Sequence, residues 1–145
     1  MIAIGSDHGG YILKEEIKKH LEEKGYDFKD LGTDSTASCD YPVYAKKVCN
    51  AIQSGECERG ILVCGTGIGM SMCANKCKGI RAAVCGDHFS AEFTRKHNNA
   101  NVLCLGARVI GSGVAMQLVD IFLTTEFEGG RHEKRIEMMM ELENK

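Results

Sequence analysis

Leu62-Val63-Cys64-Gly65-Thr66-Gly67-Ile68-Gly69-Met70 is the stretch on which the fold turns. Its apolar head continues a run from Gly60 with the length and branched content of a buried strand. Its tail places glycine at every second position, which lets the backbone turn tightly and aim several N–H groups into one concavity at a helix start. A strand, a glycine turn and a helix in that order form the repeating unit of parallel α/β proteins, and the same alternation runs outward both ways. Ile2–Gly5, Asp27–Leu31, Gly60–Cys64, Ile80–Cys85 and Val102–Leu105 read as strands. Between them Leu13, Ile17 and Leu21 recur at helical spacing before Gly25, and Tyr44, Val48 and Ile52 do so before Gly55. Val114, Leu118 and Ile121 follow the last strand, and His132 to Asn144 reads as a charged amphipathic helix with Ile136, Met139 and Met140 on one side. One α/β domain over 1–145 is expected, with a five-stranded parallel sheet and a C-terminal amphipathic helix.

Bulk properties narrow the function. The 145 residues are 43% hydrophobic and 26% charged, with a net charge of −2. No run of like charge suits a nucleic acid or a membrane surface, so a bound anion must be held by local groups. The N-terminus MIAIGSD is too briefly apolar for an export signal, and nothing approaches the roughly 18 apolar residues that cross a bilayer. A cytoplasmic location is therefore expected. Eight cysteines are many for this length. A disulfide framework does not suit a chain with its own core and no signal. Cys73 and Cys77 lie four apart without the C-x-x-C pairs of a zinc site. Most are expected to be small buried hydrophobes.

In open parallel sheets ligands bind where strands end and helices begin. Those junctions are Ser6-Asp7-His8-Gly9-Gly10, Cys64 to Gly69, Gly86-Asp87-His88 and Gly106-Ala107-Arg108. The glycine loop has G-x-G-x-G spacing, neither the G-x-G-x-x-G of dinucleotide folds nor a P-loop with its lysine, which weakens a nicotinamide-dependent reading. It serves either as an anion-stabilising nest or as a plain tight turn. Cys64, ending a strand against a helix start, stands where thiolate is favoured and can act as base or nucleophile; the alternative is an inert buried thiol. Arg131 and Arg135 lie four apart on one helical face and suit a phosphate, or belong to a solvated helix with Glu133 and Glu137. His8 follows Asp7, which serves equally as a helix cap. His97 leads a polar turn, Asn98-Asn99-Ala100-Asn101, and one of these two histidines is a candidate proton shuttle. His20 and His88 have no such support.

Taken together, S-D-H-G-G at 6–10, C-G-T-G-I-G at 64–69, H-N-N-A-N at 97–101, G-A-R at 106–108 and G-G-R-H-x-x-R at 129–135 resemble the ribose-5-phosphate isomerase B family, which belongs to a wider group with galactose-6-phosphate isomerase subunits. The resemblance spans essentially the whole chain. It implies a Rossmann-like three-layer fold and a homodimer, sometimes a tetramer, with sites at the subunit boundary. It also implies no metal or cofactor, and interconversion of ribose 5-phosphate and ribulose 5-phosphate through an enediolate. By resemblance Cys64 is the base between C2 and C1, and Gly65, Thr66, Gly67, Ile68 and Gly69 form the anion hole, with Thr66 assisting proton movement. His97 opens the furanose ring, Asp7, His8 and Asn98 bind the sugar, and Arg108, Arg131 and Arg135 bind phosphate. One family branch uses a glutamate just after the glycine loop; Met70 stands there, leaving Cys64 as the candidate base. A hexose 6-phosphate substrate (allose or galactose 6-phosphate) and a non-catalytic sugar-phosphate sensor remain as alternatives.

Overall fold

The computed structural model describes residues 1–145. Five strands, β1 (Ile2–Ser6), β2 (Phe28–Asp30), β3 (Arg59–Cys64), β4 (Ala82–Val84) and β5 (Val102–Gly106), pair in parallel in the order β2-β1-β3-β5-β4. Six helices accompany them: α1 (Tyr11–Glu23), α2 (Tyr41–Gln53), α3 (Ile68–Ala74), α4 (His88–Asn98), α5 (Ser112–Thr124) and α6 (Arg131–Glu141). This is the expected three-layer α/β sheet fold.

Strand pleating sorts the core into two. Ile2, Ile4, Ile61, Val63, Leu103 and Leu105 point one way and meet Leu13, Ile17 and Leu21 of α1, Ala91 of α4 and Leu118, Val119 and Phe122 of α5. Ala3, Leu62, Cys64, Val102 and Cys104 point the other way and meet Ala45, Val48 and Cys49 of α2 and Met70 and Ala74 of α3. The layers follow from the handedness of crossovers. Steps β1→β2 and β4→β5 move one way along the sheet and put α1 and α4 on one face; β2→β3 and β3→β4 move the other way and put α2 and α3 on the other. Because β1 and β3 are neighbours whose helices leave to opposite faces, a crevice opens between their C-terminal ends.

Several expected boundaries shift. The edge strands β2 and β4 hold only three residues each; Arg81 lies ahead of β4, where its Nε donates to Asn99 O at 2.9 Å. The 88–98 segment, too polar to stand out by periodicity, is a helix. Asp87 caps it by accepting the Ser90 N–H at 2.8 Å, and only Ala91, Thr94 and Arg95 are buried. His97 and Asn98 therefore end a helix instead of opening a turn, and the chain reverses at Asn99, the only non-glycine residue with positive φ (47°). Arg95 fixes that reversal: Nη1 donates to Asn99 Oδ1 at 2.9 Å and to Ala100 O at 2.7 Å. The buried stripe of α5 is Ala115, Leu118, Val119 and Phe122, which leaves Val114 exposed. α6 ends at Glu141, with a 3-10 turn over Leu142–Asn144, and buries only His132.

Candidate active site

Cys64 ends β3 in the crevice between β1 and β3, 6% exposed. Its Sγ accepts the N–H of Gly67 at 3.1 Å. Gly67 turns the chain with φ +79°, and a Cβ there would stand 2.9 Å from the Leu105 carbonyl carbon, so the loop closes on the sulfur only with glycine at this position. Thr66 Oγ1 accepts the Ile68 N–H at 3.2 Å. The amides of Gly65, Thr66, Gly69 and Met70 donate to nothing within the chain; Met70 is buried, so the loop N–H groups open to an incoming anion are those of Gly65, Thr66 and Gly69. Cys49, Cys57, Cys85 and Cys104 are core thiols, while Cys39, Cys73 and Cys77 are half-buried; burial pushes Cys49 up to about 12, Cys85 up to about 11 and Cys104 well above the ordinary thiol value.

The β1 side of the crevice is built around Asp7. Its N–H donates to Val63 O at 3.3 Å and its Oδ1 accepts the Gly10 N–H at 3.1 Å, capping the short His8–Gly10 turn. A Cβ on Gly10 would stand 2.3 Å from Val63 O, so glycine lets this turn rest on β3. His8 accepts the Cys39 N–H on Nδ1 at 3.2 Å, which leaves Nε2 to carry the proton of the neutral ring. Arg108 arrives from the end of β5. Its backbone N–H donates to Gly65 O at 3.0 Å and its guanidinium lies over the loop, 3.5 and 3.7 Å from where the Cβ atoms of Gly65 and Gly9 would be. No carboxylate pairs with it, so its charge is free for a ligand.

Tyr41 was not foreseen from sequence. It opens α2 with its ring against Gly69, where a Cβ would be 2.7 Å from Cε1. Pro42, which suits the first turn of a helix, is the one local sequence signal beside it. Several apolar residues at this end of the sheet are open to solvent: Met72 is 63%, Val109 66% and Phe89 69% exposed.

His97, Asn98, Arg131 and Arg135 are not in this crevice. α4 runs back against the strands, from the C-terminal end of β4 to the start of β5, and its 11 residues span about 16 Å. His97 and Asn98 therefore sit at the opposite edge of the sheet from Cys64. There His97 stacks on His132 (ring centroids 4.1 Å apart) and takes the edge of Phe93 at 4.9 Å. Arg131 and Arg135 project from the first turns of α6, exposed and without a carboxylate partner. One chain thus holds two separate sets of groups: Cys64, the loop 65–69, Asp7, His8 and Arg108 at one edge, and His97, Asn98 and two arginines at the other.

Comparison with known proteins decides what these sets belong to. The sequence profile described as Ribose/Galactose Isomerase matches residues 2–139. The chain belongs to the ribose/galactose isomerase family. Ribose-5-phosphate isomerase B of Escherichia coli K12 is 49% identical over 99% of this chain and 97% of its own. D-erythrulose-4-phosphate isomerase of Pectobacterium atrosepticum is 47% identical over 94% of this chain and 90% of its own. The structure of ribose-5-phosphate isomerase B from Clostridium thermocellum superposes with a TM-score of 0.97 at 52% identity, covering 99% of this chain and 97% of that one. This isomerase is accordingly an aldose–ketose isomerase, and no helix in it is long and apolar enough to cross a membrane.

Proposed function

We propose that this isomerase interconverts D-ribose 5-phosphate and D-ribulose 5-phosphate through an enediolate, with Cys64 as the base. The observation that carries the reading is the sulfur set beside unpaired loop amides. Removing a proton next to a carbonyl builds negative charge on oxygen, and each preorganised N–H aimed there is worth roughly 3 kcal/mol. Cys64 takes the proton from C2 and returns it to C1, a positioned base of this kind contributing about 10²–10⁴ in rate. Thr66 relays protons between the oxygens, while Asp7 and His8 hold the sugar hydroxyls. His97 opens the furanose ring, Asn98 binds the opened sugar, and Arg108, Arg131 and Arg135 hold the phosphate, whose binding energy fixes C1 and C2 against the sulfur.

Because the two sets of groups lie at opposite edges of one chain, the complete site takes both edges from two copies. A two-fold dimer makes two such sites: each protomer gives its Cys64 edge to one and its His97 edge to the other. The open apolar residues at the Cys64 end of the sheet and the unburied outer face of α6 are the surfaces such a partner would cover. Phosphate and reacting carbons are the parts these groups grip, so hexose 6-phosphates are the second reading, and relative rates on ribose, allose and galactose phosphates decide between them. The proton-transfer role is tested by NMR in deuterium oxide on ribose 5-phosphate. Wild type should wash deuterium into the sugar as ribulose 5-phosphate forms, whereas Cys64→Ala should bind substrate and do neither. A Cys64→Ala protein keeping more than about a tenth of wild-type turnover would remove the sulfur from the role of base. Binding by wild type without turnover would instead support a sensor.

A further inference from the structure

His97, Glu128 and His132 come from three segments, the end of α4, the strap between α5 and α6, and the first turn of α6. Each presents one donor atom within 4.8 Å of the other two. Backbone bonds hold them there: the Glu128 N–H donates to Lys96 O at 3.1 Å and the His132 N–H to Gly129 O at 3.2 Å. Glu128 Oε1 is 3.6 Å from His97 Nε2. Two imidazoles and a carboxylate are a donor set for zinc and its borderline neighbours.

Geometry sets what closure requires. Donors at about 2.0–2.2 Å from one tetrahedral ion stand about 3.3–3.6 Å apart, so the widest pair in the trio must close by up to about 1.5 Å. The stacked rings are nearly parallel, 13° between planes, and parallel lone pairs do not converge. One ring must therefore turn, and His97 is the one able to, because His132 is only 9% exposed while His97 and Glu128 face solvent. Arg131 and Arg135 repel a cation, while the Glu128 carboxylate offsets part of that and the exposed guanidinium charges are screened by water.

We infer that His97, Glu128 and His132 form an inhibitory site for a borderline divalent ion such as Zn2+ or Co2+, and that its occupation stops isomerisation by turning His97 out of use. The binding half stands on the donor cluster alone; the inhibitory half rests on the ring-opening role given to His97.

The two halves have separate readouts. Co2+ binding is followed by absorption in the Cys64→Ala protein, which removes the reactive thiol as a competitor. One ion per chain should bind without a thiolate-to-cobalt charge-transfer band, and Glu128→Gln should weaken binding at least tenfold. Glu128 is a surface side chain, so this variant should melt as its parent does; His132→Asn provides the second test of the site. A thiolate band, no binding, or equal binding by both variants overturns the site. In the Cys64-containing enzyme Zn2+ should inhibit turnover of ribose 5-phosphate, EDTA should restore it, and Glu128→Gln should resist, each rate taken relative to its own ion-free value. Zn2+ bound at the trio with turnover unchanged would overturn the inhibitory half and the ring-opening role together, and leave the site standing.

Discussion

Two defective variants of this isomerase should repair one another. Cys64→Ala spoils the edge that holds the loop amides, and His97→Asn spoils the far edge, about 16 Å away along α4. In the proposed dimer each variant alone leaves both sites short of one group, and loss of a positioned base or acid costs about 10²–10⁴ in rate. In a mixed dimer the bad halves meet in one site and the intact halves meet in the other. Random pairing of equal amounts makes half the dimers mixed, with one sound site of two, so the mixture should recover about a quarter of wild-type turnover. The assay is ribulose 5-phosphate formation after the two variants are refolded together, beside each refolded alone. Activity no greater than the sum of the separate variants would refute the shared site, and with it the split read from the direction of α4.

His97→Asn should slow the cyclic substrate more than an open-chain analogue; equal loss on both counts against ring opening. Arg135→Ala should raise KM with kcat little changed, because phosphate is held equally in ground and transition states, and a fall in kcat alone would show the phosphate role to be wrong. Gly10→Ala should lower the melting temperature by forcing a methyl group to 2.3 Å from Val63 O, a backbone collision costing at least about 1–3 kcal/mol; an unchanged melt would mean that the turn moves freely. Asp30 is pushed up by burial, but hydrogen bonds from Lys14 and Lys18 more than offset this and hold its carboxyl below the ordinary value. The stability this gives is full above the unfolded carboxyl's pKa and lost as pH falls through the folded one, so Asp30→Asn should flatten the acid limb of stability against pH.

The sheet was legible because its three inner strands are continuous apolar runs that end in glycine or polar turns, a pattern with few other readings. The edge strands were overdrawn because a strand with one neighbour needs fewer apolar residues, and Arg81 beside Ile80 belongs to a clamp on the Asn99 turn. α4 was missed for a related reason. It buries three residues, one of them Arg95, whose charge is satisfied by the carbonyls of Thr125 and Ala100 instead of by water. Asp7, His8, Cys64 and Arg108 stood out because they follow strand ends, whereas His97, Asn98, Arg131 and Arg135 lie on helices and took their roles from the family resemblance. Their division between two edges could not be read from spacing, since it depends on recognising 88–98 as a helix and following where it leads. Tyr41 escaped notice because its contact with Gly69 joins two elements far apart along the chain.

The backward run of α4 has a kinetic consequence. On the proposed shared site, a protomer adrift from its mate would carry half a reaction centre at each end, so progressive dilution should extinguish specific activity before any sign of unfolding appears. On that arrangement the enzyme gauges its own abundance: below the threshold for pairing, added protein raises flux as the square of its amount.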